Sequence, residues 1–176
     1  MKINRFDEDL KHREILPYEP IYSEIFTAIK EHVETRMDGV VLFHIGSTAV
    51  AGLLGKPMID IFAESEDRDL RAKQREFQNL DFHRRDVWVD TDEKPYVCGS
   101  IGLDGRIYNI NIHICDKNDP ALLSAISFLN ILKSRPESRR KYEAAKLKAH
   151  SIDPVKPQRY NQAKESVINE ILNGAQ

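Results

Sequence analysis

Residues 44–61 read His44-Ile45-Gly46-Ser47-Thr48-Ala49-Val50-Ala51-Gly52-Leu53-Leu54-Gly55-Lys56-Pro57-Met58-Ile59-Asp60-Ile61. The residue types at the two ends of this stretch suit phosphate chemistry. Gly46 permits a close backbone approach, and Ser47 and Thr48 offer hydroxyls beside the unpaired N–H groups of a helix start, a combination that cradles phosphate oxygens. The same three residues would also serve a tight turn with a capped helix and no ligand. Asp60 is a lone carboxylate in an apolar run, where burial demands a partner. As a hard oxygen donor it is the candidate ligand for Mg2+ or Mn2+ set against those phosphate oxygens; the alternative is a structural pair with Lys56, Lys133 or a histidine. Two histidines, His44 just before the glycine and His113 on a polar strand face, are expected to converge on Asp60 from one sheet end. In the catalytic form of the site Asp60 carries the metal, His113 positions an acceptor, and the Ser47 turn and Lys56 steady phosphates.

The elements that must hold these groups follow from periodicity. Ile21, Ile25, Ile29 and Val33 recur every four residues, which predicts a helix over 21–36 with one buried stripe and a turn at Asp38-Gly39. VVLFHI at 40–45 is short, β-branched and stopped by Gly46, so it reads as a buried strand, and MIDIFA at 58–63 as a second. Asp60, Phe62 and Glu64 then share one face. An amphipathic helix is expected over 67–80, and strands over 82–89 and 96–101. IYNINIHIC at 107–115 alternates most cleanly: Ile110, Ile112 and Ile114 point one way, and Asn109, Asn111 and His113 the other. Asn118-Asp119-Pro120 caps a helix to 133, Pro136 opens one to 150, and a Pro-bracketed loop at 153–157 precedes a last helix over 158–173 with Gly174 as its stop. Helix, strands, then three helices is an α+β order with a mixed or antiparallel sheet.

At 176 residues with no repeat or Gly/Ser linker, the chain reads as one domain able to bury a core without disulfide or metal staples. Cys98 and Cys115 lack metal or redox spacing and are expected as free thiols. The charged N-terminus and the lack of a long apolar run argue for a cytoplasmic chain with no membrane partner. A net charge of −2 hides an asymmetry, because residues 133–164 hold ten Lys or Arg against three acidic residues. That basic stretch suits a phosphate as well as a solvated helix face. Trp88, Tyr96 and the other aromatics are too scattered for a base-stacking platform, which argues against nucleic acid.

The segment HIGSTAVAGLLGKPMIDI resembles the hallmark of the GrpB family, small bacterial proteins with a nucleotidyltransferase-like fold. Pro17-Tyr18-Glu19-Pro20, the Phe26 helix, the His113 strand, Phe128, Tyr142 with Lys146, and Arg159-Tyr160 with Lys164 extend the resemblance from about residue 15 to about 172. It implies an α+β, nucleotidyltransferase-like mixed sheet flanked by helices, with a C-terminal helical segment. Related domains occur fused to dephospho-CoA kinase, so the implied ligand is a nucleotide, a coenzyme A precursor or another small phosphorylated metabolite. The ligand-binding set on this reading is His44, Gly46, Ser47, Thr48, Lys56, Lys133, Arg159, Tyr160 and Lys164. Metal-dependent nucleotidyl transfer is the catalytic form, a phospho-ligand binding module the non-catalytic one, and a purely structural or interaction role the third. Departures bear on that choice. The superfamily carries acidic-x-acidic on the second strand and a third carboxylate later; here Phe62 follows Asp60, and the later strand offers Asn109, Asn111 and His113. Two-metal chemistry sets several carboxylates around cations about 3.5–4 Å apart, whereas one aspartate with a histidine holds a single metal or none. Glu64 lies roughly 13 Å along the strand from Asp60 at about 3.3 Å per residue, too far to replace Phe62. Ala51 replaces the family's usual proline and Leu129-Asn130 its Arg-Asp pair, while Lys133 keeps a positive charge.

Overall fold

The computed structural model describes residues 1–8, 14–85, 90–152 and 157–174, and at 152, 157–160 and 163 the backbone alone. In chain order the elements are α1 (Ile21–Glu34), β1 (Val40–Ile45), a 3-10 turn (Ser47–Ala49), β2 (Met58–Ser65), α2 (Leu70–Asn79), β3 (Tyr96–Leu103), β4 (Arg106–Asp116), α3 (Pro120–Ser134), α4 (Pro136–Ile152) and α5 (Pro157–Asn173). The strands form one mixed sheet in the order β1-β2-β4-β3, with β2 and β4 parallel and the two outer pairs antiparallel.

The alternation in β2 and β4 divides the sheet into two faces. Ile59, Ile61, Ala63, Ile110, Ile112 and Ile114 form one buried core with Ile25, Ile29 and Val33 of α1 and Phe77 of α2. Each such isoleucine contributes about 1.5–3 kcal/mol by leaving water, which pins the register, since a one-residue slip would expose them all. The other face carries Asp60, Phe62, Glu64, Asn111 and His113, all half-buried. A second apolar cluster joins Leu129 and Leu132 of α3, Tyr142 of α4 and Ile171 of α5 to Val50 and Leu53 of the β1–β2 connection. The C-terminal helices are thereby fastened to the segment that carries Gly46 and Ser47.

Capping follows the expected chemistry. The Asp119 carboxylate accepts from the N–H groups of Ala121 (2.7 Å) and Leu122 (3.3 Å), with Pro120 in the first turn of α3. Asp69 accepts from Ala72 N–H at 2.9 Å, so α2 starts at Leu70 and not at 67. The β3–β4 hairpin turns on Asp104 (φ 49°) and Gly105 (φ 74°), an Asp-Gly pair suited to a tight two-residue turn. The strand expected over 82–89 is not formed by the described part of that stretch: Phe82 packs in the main core and His83 bridges Cys98, while 86–89, with Trp88, lie outside the described residues. Of the 153–157 loop, 153–156 also lie outside them. Cys98 and Cys115 are free and buried. Among the described residues no helix is long and apolar enough to cross a membrane.

Candidate functional site

Gly46 leaves β1 at φ 75° and ψ −169°, a region open essentially only to glycine. A Cβ there would lie 2.9 Å from Asp60 Oδ2, so the absent side chain lets the turn close over the carboxylate. Directly afterwards Thr48, buried to 2%, donates its hydroxyl to Met58 O at 2.9 Å. That leaves the Thr48 oxygen to accept from His44 Nε2 at 3.0 Å, which makes His44 the Nε2–H tautomer. The 3-10 turn is therefore tied to the start of β2 by a side chain.

Asp60 sits beside Asn111 in the parallel register. Its Oδ1 accepts from Asn111 Nδ2 at 2.8 Å, the same amide nitrogen reaches Met58 Sδ at 2.6 Å, and Asn111 Oδ1 accepts the hydroxyl of Tyr96. Every polar atom of the Asn111 side chain is used, so the amide orientation is set and Asp60 is clamped on one oxygen. Burial pushes the Asp60 carboxyl up, opposed by the Asn111 hydrogen bond and by the charges of His113, Lys164 and Lys56. His113 lies between the rings of Phe62 (centroids 5.6 Å) and Tyr96 (5.3 Å). Burial pushes it down, with Asp60 opposing and Lys94 assisting.

Lysines complete the surroundings. Lys146 of α4 is buried to 1%; it donates to Leu54 O and lies 4.8 Å over the Tyr142 ring. Burial, reinforced by Lys164, lowers its pKa to about 7. Glu143, on the same helix, accepts from Leu54 N–H at 2.8 Å, so α4 engages both backbone polar groups of Leu54. Gly55 forms the contact point: a Cβ on it would stand 2.3 Å from Ser47 Oγ and 3.6 Å from Lys146 Nζ, so hydroxyl and amine border the same small space. Lys164 of α5 is lowered to about 8 by burial, with Asp60 attracting and Lys56 repelling it. The charges of Lys56, from the β1–β2 connection, and Lys164, from α5, thus bear on Asp60, while Lys146 of α4 borders Ser47 across Gly55.

The structure brings Gly46, Ser47, Thr48, Lys56, Asp60, His113 and Lys164 together. It does not bring His44 to Asp60. In the β1–β2 register His44 pairs with Ile61, so its ring points to the helical core and stacks on Phe26 at 4.7 Å; Ile45 is the residue opposite Asp60. Burial, then Lys133, lowers the His44 pKa to about 4. Lys133 is exposed and bears on His44. Leu129 is part of the C-terminal core and Asn130 is exposed. The side chains of Arg159 and Tyr160 lie outside the described ones. Glu64 is a turn acceptor, taking the Asn118 N–H at 2.8 Å. Asn111, Tyr96 and Lys146 were missing from the expected site; the polar alternation on β4 was the available signal for Asn111, and the Tyr142–Lys146 spacing for Lys146.

A metal expected at Asp60 meets a poor donor set. Phe62 and Asn111 stand where further carboxylates are needed, and among the described residues no three His, Cys, Asp or Glu side chains gather to hold a metal ion. A divalent cation about 6 Å from one ammonium is repelled by about 5–6 kcal/mol at an effective dielectric near 20, and several ammoniums stand here. These residues do not fit a two-metal centre.

A family model described as GrpB protein matches residues 12–174. The chain belongs to the GrpB family. It is 28% identical over 168 residues to a UPF0157 protein of Pseudomonas aeruginosa, covering 92% of this chain and 67% of the relative. A UPF0157 protein of Halalkalibacterium halodurans is 24% identical over 164 residues, covering 92% and 81%. Among solved structures, conserved protein GrpB from Enterococcus faecalis superposes with a TM-score of 0.72 at 21% identity, over 92% of this chain and 99% of that one. Cid1, solved in complex with its short product ApU, gives 0.50 at 14% identity over 77% of this chain and 42% of its own. The mixed sheet flanked by helices is thus a GrpB fold with nucleotidyltransferase neighbours.

Proposed function

We propose that this GrpB-family chain binds a nucleotide or another small phosphorylated metabolite between the Gly46–Ala49 turn, the Asp60 face of the sheet, and helices α4 and α5. The observation that carries the reading is the set of lysines from three separate segments, Lys56 and Lys164 bearing on Asp60 and Lys146 bordering Ser47 across Gly55. Burying amines together costs free energy that an anion offsets. The Ser47 hydroxyl adds a hydrogen bond to a phosphate oxygen. The half-buried rings of Phe62 and His113 lie beside them and offer a planar ligand an apolar face. Cid1 was solved with a dinucleotide product, and the shared fold supports the ligand class without carrying its chemistry across. The reading is one of binding, in the cytoplasm where such metabolites occur, and it invokes no transfer step. A thermal-shift panel of nucleoside phosphates and coenzyme A precursors tests it. A ligand at about 100 times its dissociation constant adds about 2.7 kcal/mol, roughly 5–11 °C for a chain of this size. The shift should vanish in Lys164→Met; silence across the panel would sink the reading.

A further inference from the structure

The charges around Asp60 indicate the form in which a ligand's phosphate arrives. A phosphate ester bound as its magnesium complex needs a carboxylate cage for the metal, and here that cage is replaced. The neighbour of Asp60 on β4 is Asn111, an amide that donates to Oδ1 at 2.8 Å, and the next residue on the same face of β2 is Phe62, paired with His113. The groups that face Asp60 otherwise are Lys56 and Lys164, with Lys146 beyond them across Gly55 from Ser47. Lys146 is 1% exposed and directed at the Leu54–Gly55 backbone, so its amine is built into the fold and does not wander over the surface. Gly55 itself leaves room where any side chain would press on Ser47 Oγ at 2.3 Å. Among the described residues the Asp60 carboxylate, already hydrogen-bonded, and the Glu143 carboxylate, engaged by Leu54 N–H and bearing on Lys146, stand against three lysine side chains.

We infer that the site takes its phosphorylated ligand free of metal, with Lys56, Lys146 and Lys164 supplying the positive charge that a divalent cation supplies in nucleotidyltransferases. This rests on the phosphate-binding reading above and deepens it: the ligand is a metal-free phosphate ester such as a nucleoside monophosphate, in preference to a magnesium–triphosphate complex. Asp60 then ligates no metal. Its neutralisation relieves a negative charge that bears on Lys164 beside the phosphate.

The test is calorimetric titration of the full chain with inorganic phosphate, adenosine 5′-monophosphate and ATP, each in excess EDTA and again in excess Mg2+. Binding of phosphate or the monophosphate should be unchanged by EDTA, with ATP weaker in Mg2+ than in EDTA. Lys164→Met should lower affinity at least tenfold while Lys164→Arg restores most of it, and Asp60→Asn should retain or tighten binding. Far-UV circular dichroism and melting of each variant separate loss of binding from loss of folding, and Lys56→Met provides a second charge deletion on a loop segment. Binding that requires Mg2+ and disappears in Asp60→Asn would overturn the metal-free inference and leave the phosphate-binding reading standing. No binding of any of the three ligands, with or without metal, would overturn both.

Discussion

Replacing Gly46 by alanine tests the closure of the turn over Asp60 with a built-in control. Two costs are expected. The first is conformational: φ 75° with ψ −169° is a region where a side chain is strained by roughly 1–3 kcal/mol. The second is steric. The new Cβ would stand 2.9 Å from Asp60 Oδ2, and Asp60 has little freedom to retreat because Oδ1 is held by Asn111, itself held by Tyr96 and Met58. Overpacking of that kind costs about 1–3 kcal/mol, so the two together amount to roughly 2–6 kcal/mol. Gly105 has nearly the same φ, 74°, but a Cβ there meets nothing within 4 Å, so Gly105→Ala should cost only the roughly 1–2 kcal/mol of left-handed strain. Urea unfolding at fixed m, about 2 kcal/mol/M, should move the Gly46→Ala midpoint down by about 1–3 M and that of Gly105→Ala by less than about 1 M. Combining Gly46→Ala with Asp60→Ala should recover the steric part but not the strain, a coupling of about 1–3 kcal/mol in the double-mutant cycle. Equal losses at the two glycines, or no coupling to Asp60, would refute the close approach.

Three further outcomes follow from the same interior. Thr48→Val should cost about 1–3 kcal/mol in urea unfolding, because Met58 O and His44 Nε2 both lose their partner, while Thr48→Ser should retain most of it. His44 has its folded pKa lowered to about 4 from 6.5, so the unfolded chain takes up the proton first: stability should fall as pH drops from 6.5 towards 4, by about 2–3 kcal/mol, with a shallower fall in His44→Gln. Identical acid slopes would contradict the buried neutral ring. Lys146, lowered to about 7 from 10.5, behaves with the same sign in a higher window: the unfolded chain holds its proton between those values, so wild-type stability rises with pH from about 7 to 10.5. Lys146→Met should therefore be at its most favourable relative to wild type near pH 7 and lose up to about 4 kcal/mol of that advantage by pH 10, which pH-dependent melts would detect.

Much of the scaffold was legible because its signals are local. Spacing of Ile25, Ile29 and Val33 defines α1, the Asp119-Pro120 pair starts α3 at its observed residue, and VVLFHI marks β1 at its observed limits. Alternation in β2 and β4 correctly separated Asp60 and His113 from the isoleucines, since the pleat has period two whatever the strand pairs with. Boundaries set by a cap or by a partner were less so: α2 starts three residues later than its charge pattern, where Asp69 takes the first N–H groups, and the stretch from 82 contributes the His83 bridge and a core ring.

What the chain alone determined was which side chains alternate, which residues punctuate, and that a glycine-serine turn and an aspartate stand at the two ends of one strand connection. Tertiary structure decided what stands beside them. Whether His44 or Ile45 lies opposite Asp60 depends on a one-residue difference in antiparallel register, and packing of β1 on α1 resolved it by stacking His44 on Phe26. That Asn111 clamps Asp60 depends on the parallel pairing of two strands separated by about fifty residues. Lys146 became part of the site only because the apolar cluster of Val50, Leu53, Leu129 and Tyr142 presses α4 onto the glycine-rich connection. Local pattern carries direction along an element, but proximity between elements comes from burying their apolar faces together, and it is proximity that sets the charge around Asp60.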